Sequence, residues 1–76
     1  ATIATHAMKA PAGEVTAVHR AYPGLGDVVI IENDVEKVIY SGRFAPSVAK
    51  GALVSVGDAI ASGAVSGGIR ATRFPK

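Results

Sequence analysis

Seventy-six residues with a net charge of +2 and no cysteine describe one domain, with no room for a second core. A chain this short buries only about 60–65% of the surface it exposes when unfolded, so its own core is marginal. Neither a disulfide nor a thiolate metal site can supplement that core, and two histidines, His6 and His19, are too few for a histidine-rich one. Association with other chains is the support that remains.

The apolar residues are small. There are fourteen Ala and ten Val, but two Leu, two Phe and no Trp. Alanine removes little area from water, and with only 18% charged residues some of the surface is expected to be covered by a neighbour. No run of 18 apolar residues is present, which excludes a membrane-spanning helix. The first residues, Ala1–His6, lack the basic segment and apolar core of a signal peptide. The expected location is the cytoplasm, or a particle assembled inside the cell.

In chain order, residues 1–13 read as an extended arm: Thr2, Ile3 and Thr5 favour extended backbone and Pro11-Ala12-Gly13 ends it. Residues 14–76 form the domain. Glu14–Arg20 is β-branched and predicts a strand. Tyr22-Pro23-Gly24-Leu25-Gly26 follows, and Pro-Gly is the pair that a type II turn asks for. Val28–Glu32 and Val35–Tyr40 predict two strands joined through Asn33-Asp34. Val28–Ile31 is apolar at odd and even positions alike, which predicts a strand covered on both faces.

Ser41–Pro46 reads as a loop. Beyond it Ala49, Ala52, Leu53, Val56, Ile60 and Gly63 recur at helical spacing, which predicts a covering helix over about 46–63 with Ser47 as its N-cap. Gly51 and Gly57 oppose it at about 1 kcal/mol each, and Lys50 and Asp58 sit at the wrong ends for the helix dipole. The competing reading is a short strand over Ala52–Val56 that ends at a Gly57-Asp58 turn. Ser66-Gly67-Gly68 then gives a joint, and Ile69–Phe74 predicts a closing strand. The expected fold is α+β, a small, mostly antiparallel sheet under one helix; the alternative is an all-β small barrel.

No catalytic constellation emerges. His19 lies in a predicted strand, no serine occupies a Gly-x-Ser-x-Gly elbow, and no base is spaced to serve one. Glu32, Asp34 and Glu36 gather near a hairpin tip but lack the ligand spacing of a calcium loop. Gly24-Leu25-Gly26 has Val29 where a dinucleotide fingerprint needs its third glycine. The expectation is therefore a non-enzymatic chain with no cofactor and no metal.

Three resemblances bear on this. Ala7-Met8-Lys9, Ala10–Val15 and Val56–Ile60 are similar to segments of biotinyl and lipoyl carrier domains. The modified lysine there sits on a hairpin between two half-repeats, whereas Lys9 precedes Pro11 in the arm, so Lys9 is not taken as a site. Val54–Val65 resembles the small-residue helix of bacterial microcompartment shell proteins, and Ile69–Pro75 loosely resembles their closing strand. The trait set as a whole (an extended arm, a β-rich body, few charges and no cysteine) is similar to that of small phage capsid decoration proteins. The marginal size, the small-residue composition, the doubly apolar Val28–Ile31 and the missing catalytic set predict a structural subunit that associates with copies of itself, or with a larger protein, in a shell, ring or capsid layer, which is also what the latter two resemblances imply. Arg43, Phe44, Arg70, Arg73 and Phe74 are the contact candidates, since Arg and aromatic side chains are enriched in interfaces. Arg70, Arg73 and Lys76 also cluster at the C-terminus, and a nucleic-acid partner is the alternative they suggest. A non-catalytic small subunit of an enzyme complex is the other.

Overall fold

The computed structural model describes residues 10–62 and 69–76. Its strands are β1 (Gly13–Tyr22), β2 (Gly26–Glu32), β3 (Glu36–Gly42), β4 (Ala45–Pro46), β5 (Leu53–Val54), β6 (Ala61–Ser62) and β7 (Ile69–Pro75). They form an antiparallel five-stranded sheet in the order β5-β1-β2-β3-β7, with β4 and β6 paired separately.

Local sequence accounts for the meander. Leu25 N–H donates to the Tyr22 carbonyl at 3.0 Å, and Gly24 adopts φ +80°, the left-handed value a type II turn requires at its third residue. Between β2 and β3 the side-chain oxygen of Asn33 accepts from the N–H groups of Val35 (2.9 Å) and Glu36 (3.0 Å), and its amide donates to the Ala12 carbonyl at 2.7 Å. That asparagine closes the hairpin and ties it to the chain entering β1.

The expected helix over 46–63 does not form across its described part, 46–62, and among the described residues the fold is all-β, the alternative reading. Gly51 (φ +93°) and Gly57 (φ +86°) both take left-handed backbone, which ends a helix. Each lies in a tight turn: Ala52 N–H donates to the Ala49 carbonyl at 3.1 Å, and Asp58 N–H to that of Ser55 at 3.0 Å. The Asp58 carboxylate, unfavourable near a helix C-terminus, instead accepts from Ser55 N–H at 2.8 Å. Nor is the helical stripe buried as one face: Ile60 is fully buried, but Leu53 is 84% and Val56 79% exposed. Those two glycines outweigh the 3.6-residue period. Gly63 and the Ser66-Gly67-Gly68 joint lie outside the described residues.

The core sits between one face of the sheet and this looping segment. Val15, Val29, Ile31, Val38 and Tyr40 from the sheet, with Val54 on its edge strand β5, meet Phe44, Ile60 and Ala61 from the cover. Ala10, at the end of the expected arm, also belongs to the core. Its N–H donates to the Asp58 carbonyl at 3.1 Å, and Gly57 N–H donates to the Ala10 carbonyl at 2.9 Å. The earlier arm, with Lys9 and His6, lies outside the described residues.

Candidate association surface

The ladder register places side chains on the two faces of the sheet. Val29 pairs with Tyr40 and Ile31 with Val38, so odd positions of β2 and even positions of β3 face the core. The remaining residues form rows on the outer face. One row runs Ala17, Ile30, Ile39, Thr72; a second runs His19, Val28, Ser41, Arg70; a third runs Glu32, Lys37, Phe74. Among the described residues the buried core cluster lies on the other face, so the expectation that Val28–Ile31 is covered on both sides is met only in part. Val29 and Ile31 are fully buried, Val28 is nearly so outside the core cluster, and Ile30 is half-buried.

The outer face is apolar at its centre and indented. A groove of about 500 Å³ is lined by Leu25, Ile39, Ser41, Arg70, Thr72 and Phe74, among others. Leu25 and Phe74 are each 48% exposed. Tyr22, also exposed, has its ring 5.5 Å from that of His19, tilted by 56°.

Charge is arranged around this centre. On the outer face Lys76 pairs with Glu32 at 3.4 Å. The Glu32 carboxyl is held below its ordinary value chiefly by a hydrogen bond from the Thr16 side chain, with Lys76 and Lys37 assisting and desolvation opposing. On the core face, at the sheet edge, Arg73 binds Glu36 at 2.7 Å, and this contact strengthens its hold on its proton. Glu32 and Glu36, grouped in the sequence as possible cation ligands, thus face opposite ways. Each is bound to a cation of β7 or of the residue after it. Among the described residues no three His, Asp or Glu side chains converge as metal ligands, and no helix is long and apolar enough to cross a membrane.

Of the expected contact residues, the structure brings Arg70 and Phe74 together on the groove. Arg73 belongs to the same strand but the opposite face. Arg43 is exposed in the loop between β3 and β4, one residue beyond the Gly42↔Ile69 pair that ends the β3–β7 ladder. Phe44 is 6% exposed and part of the core, its N–H donating to the Asp27 carboxylate at 3.4 Å. Leu25, Ile39 and Thr72 were not singled out from the sequence. The signal for Ile39 was present: Val38 and Ile39 are consecutive, so one of them had to leave the core face. Comparison with protein-family models, curated proteins and solved structures finds no match to this chain.

Proposed function

We propose that this chain is a non-catalytic structural domain that builds a larger assembly, such as a shell, ring or capsid layer, through contacts between copies of itself. One observation carries this reading: the outer face of the sheet combines a half-buried apolar centre, Ile30 and Ile39, with the exposed Leu25 and Phe74 around a groove. Apolar side chains gathered on one sheet face are a common mark of a surface that a partner covers. The size argument agrees, because a two-layer domain with one covered face gains stability when the second face is buried.

The nucleic-acid alternative draws less support. Arg73 and Lys76 are each held by a glutamate, and Arg73 lies on the other side of the sheet from Arg70. A dense basic stripe of the kind that tracks phosphates is not assembled from them. Sedimentation and light scattering of the purified chain across micromolar to millimolar concentration test the proposal. A mass at a multiple of 7.7 kDa is expected. A well-folded monomer throughout that range would overturn it, and assembly only with a second, different chain would favour a small subunit of an enzyme complex.

A further inference from the structure

The sheet has two unlike edges. On one side β5 is two residues long and covers only Gly13 and Glu14 of β1. The rest of β1 is irregular, with register shifts between Val15 and Ala17 and between His19 and Tyr22, and with Ala21 at φ +53°. Bulges and short strands are how sheets blunt an edge against further pairing. On the other side β7 runs seven residues against β3 with no register shift, from Gly42↔Ile69 to Glu36↔Pro75. That edge is regular and open among the described residues.

Its polarity follows from one bond. Lys76 N–H donates to the Val35 carbonyl at 2.9 Å, so alternation along an antiparallel ladder turns the amide groups of Phe74, Thr72 and Arg70 towards β3. Ile69, Ala71 and Arg73 turn theirs outward. Pro75 lies at the end of the strand, also in an outward position, where its missing N–H costs no bond within the sheet.

We propose that β7 pairs with β7 of a second copy, antiparallel across a two-fold axis through Thr72, continuing the sheet from one chain into the next. This rests on the self-association proposed above and assigns its contact. The register is the one that overlaps the whole strand. Ile69 meets Pro75 of the second copy, Arg70 meets Phe74, Ala71 meets Arg73, and Thr72 meets Thr72. Every outward N–H then finds a carbonyl: Ile69 that of Pro75, Ala71 that of Arg73, and Arg73 that of Ala71. No donor is lost, because each proline is asked only to accept.

Side chains and charge select a second copy rather than another partner. Arg70 has no carboxylate within ion-pair distance among the described residues, and this register lays it across from the exposed ring of Phe74 in the other chain, a cation–π pair formed twice. Arg73 and Lys76 keep their own glutamates, so two basic strands approach with most of their charge already balanced. The Thr72 pair is a favourable cross-strand contact. Phe74 of the second copy arrives beside Arg70, on the wall of the groove that Arg70, Thr72 and Phe74 line, which covers part of the open apolar face.

Two variants test this, both in the intact chain. Ala71→Pro removes an outward N–H and leaves the β3–β7 bonds in place, so it is expected to weaken association at least tenfold while circular dichroism still reports a folded sheet. Thr72→Cys places cysteines on a non-hydrogen-bonded pair with Cα atoms about 4.5 Å apart, within disulfide reach. The chain has no other cysteine, so mild oxidation is expected to yield a reducible covalent dimer. A Ser47→Cys control at an exposed loop position is expected to yield far less. If the native chain associates but Thr72→Cys cross-links no better than Ser47→Cys, or folded Ala71→Pro keeps its mass, the edge pairing is wrong and self-association stands. If the native chain is monomeric, both fall.

Discussion

Two isoleucines on opposite faces of the sheet separate a covered face from an open one. Ile60 is fully buried under the core face, whereas Ile39 is half-buried in the outer row between Ile30 and Thr72. Ile60→Ala removes three carbons from a closed site, about 2.4 kcal/mol at ~0.8 kcal/mol per carbon. The cavity left behind adds about 1–2 kcal/mol. The total, about 3–4 kcal/mol, is a large share of the roughly 4–11 kcal/mol expected for a domain of this size. At about 4–8 °C per kcal/mol the midpoint falls by roughly 12–32 °C. Ile39→Ala loses about half the transfer free energy and leaves no closed cavity, so about 1 kcal/mol, or roughly 5 °C, is expected in dilute solution. Thermal unfolding of both variants at low micromolar concentration reads the difference. Equal drops would show that the outer face is packed as tightly as the core, and the argument for an open association surface would fail.

Other expectations follow from individual contacts. At Gly26 (φ +85°) a Cβ would stand 2.6 Å from the Gly42 carbonyl oxygen, while at Gly24 (φ +80°) it would meet nothing within 4 Å. Gly24→Ala should therefore cost only the left-handed backbone term, about 1–2 kcal/mol. Gly26→Ala should cost clearly more in a denaturant titration. Because the Glu32 carboxyl is held low, chiefly by Thr16, its contribution is present above the ordinary glutamate value of about 4.3 and is lost as pH falls through the lowered one. Thr16→Val should move the Glu32 titration upward in carboxyl NMR and soften the acid limb of stability. Burial raises the Tyr40 phenol, with Arg73 opposing and Glu36 assisting. Its contribution is thus full below the ordinary value of about 10 and is lost as pH rises through the raised one. Tyr40→Phe should flatten the alkaline limb of the pH–stability curve. Finally, association that binds only the folded chain should raise the midpoint with protein concentration, by about 3–5 °C per tenfold for a dimer of this size; a midpoint independent of concentration would contradict it.

The strands were legible where local chemistry and tertiary demand agreed. Pro23-Gly24 and Asn33-Asp34 mark turns for backbone reasons that need no knowledge of the rest of the chain, and the β-branched runs before, between and after them become β1, β2 and β3. Over residues 46–63 two sequence signals conflict, and the weaker of them is the one that predicts a helix. The apolar period of 3.6 was real, but Gly51 and Gly57 were placed for left-handed turns, and Val54, Ile60 and Ala61 reach the core from separate short strands and the chain between them. Phe44 shows the corresponding limit at the surface. An aromatic residue next to an arginine looks like an interface pair, yet Phe44 packs into a core assembled from residues distant in sequence, Val15, Val29 and Ile60 among them. Which of Arg70 and Arg73 faces the groove is likewise a matter of register with β3. The strand's own sequence does not contain it.

The doubly apolar run Val28–Ile31 links folding to association. A sheet with one wet face ordinarily alternates apolar and polar residues, and a register slip of one residue would then expose the core set. Here a slip in β2 would exchange Val29 and Ile31 for Val28 and Ile30 at little cost in burial, so the hydrophobic pattern alone does not hold the register. What holds it is local: the tight approach of Gly26 to the Gly42 carbonyl at one end, and at the other the Asn33 side chain bound to Val35, Glu36 and Ala12. Register that turns and close contacts specify leaves the outer positions free to be apolar. Apolar outer positions are of no use to a solitary domain in water. They become useful when the face they form is buried, and the regular edge of β7 beside them is where a second sheet can join without disturbing the first.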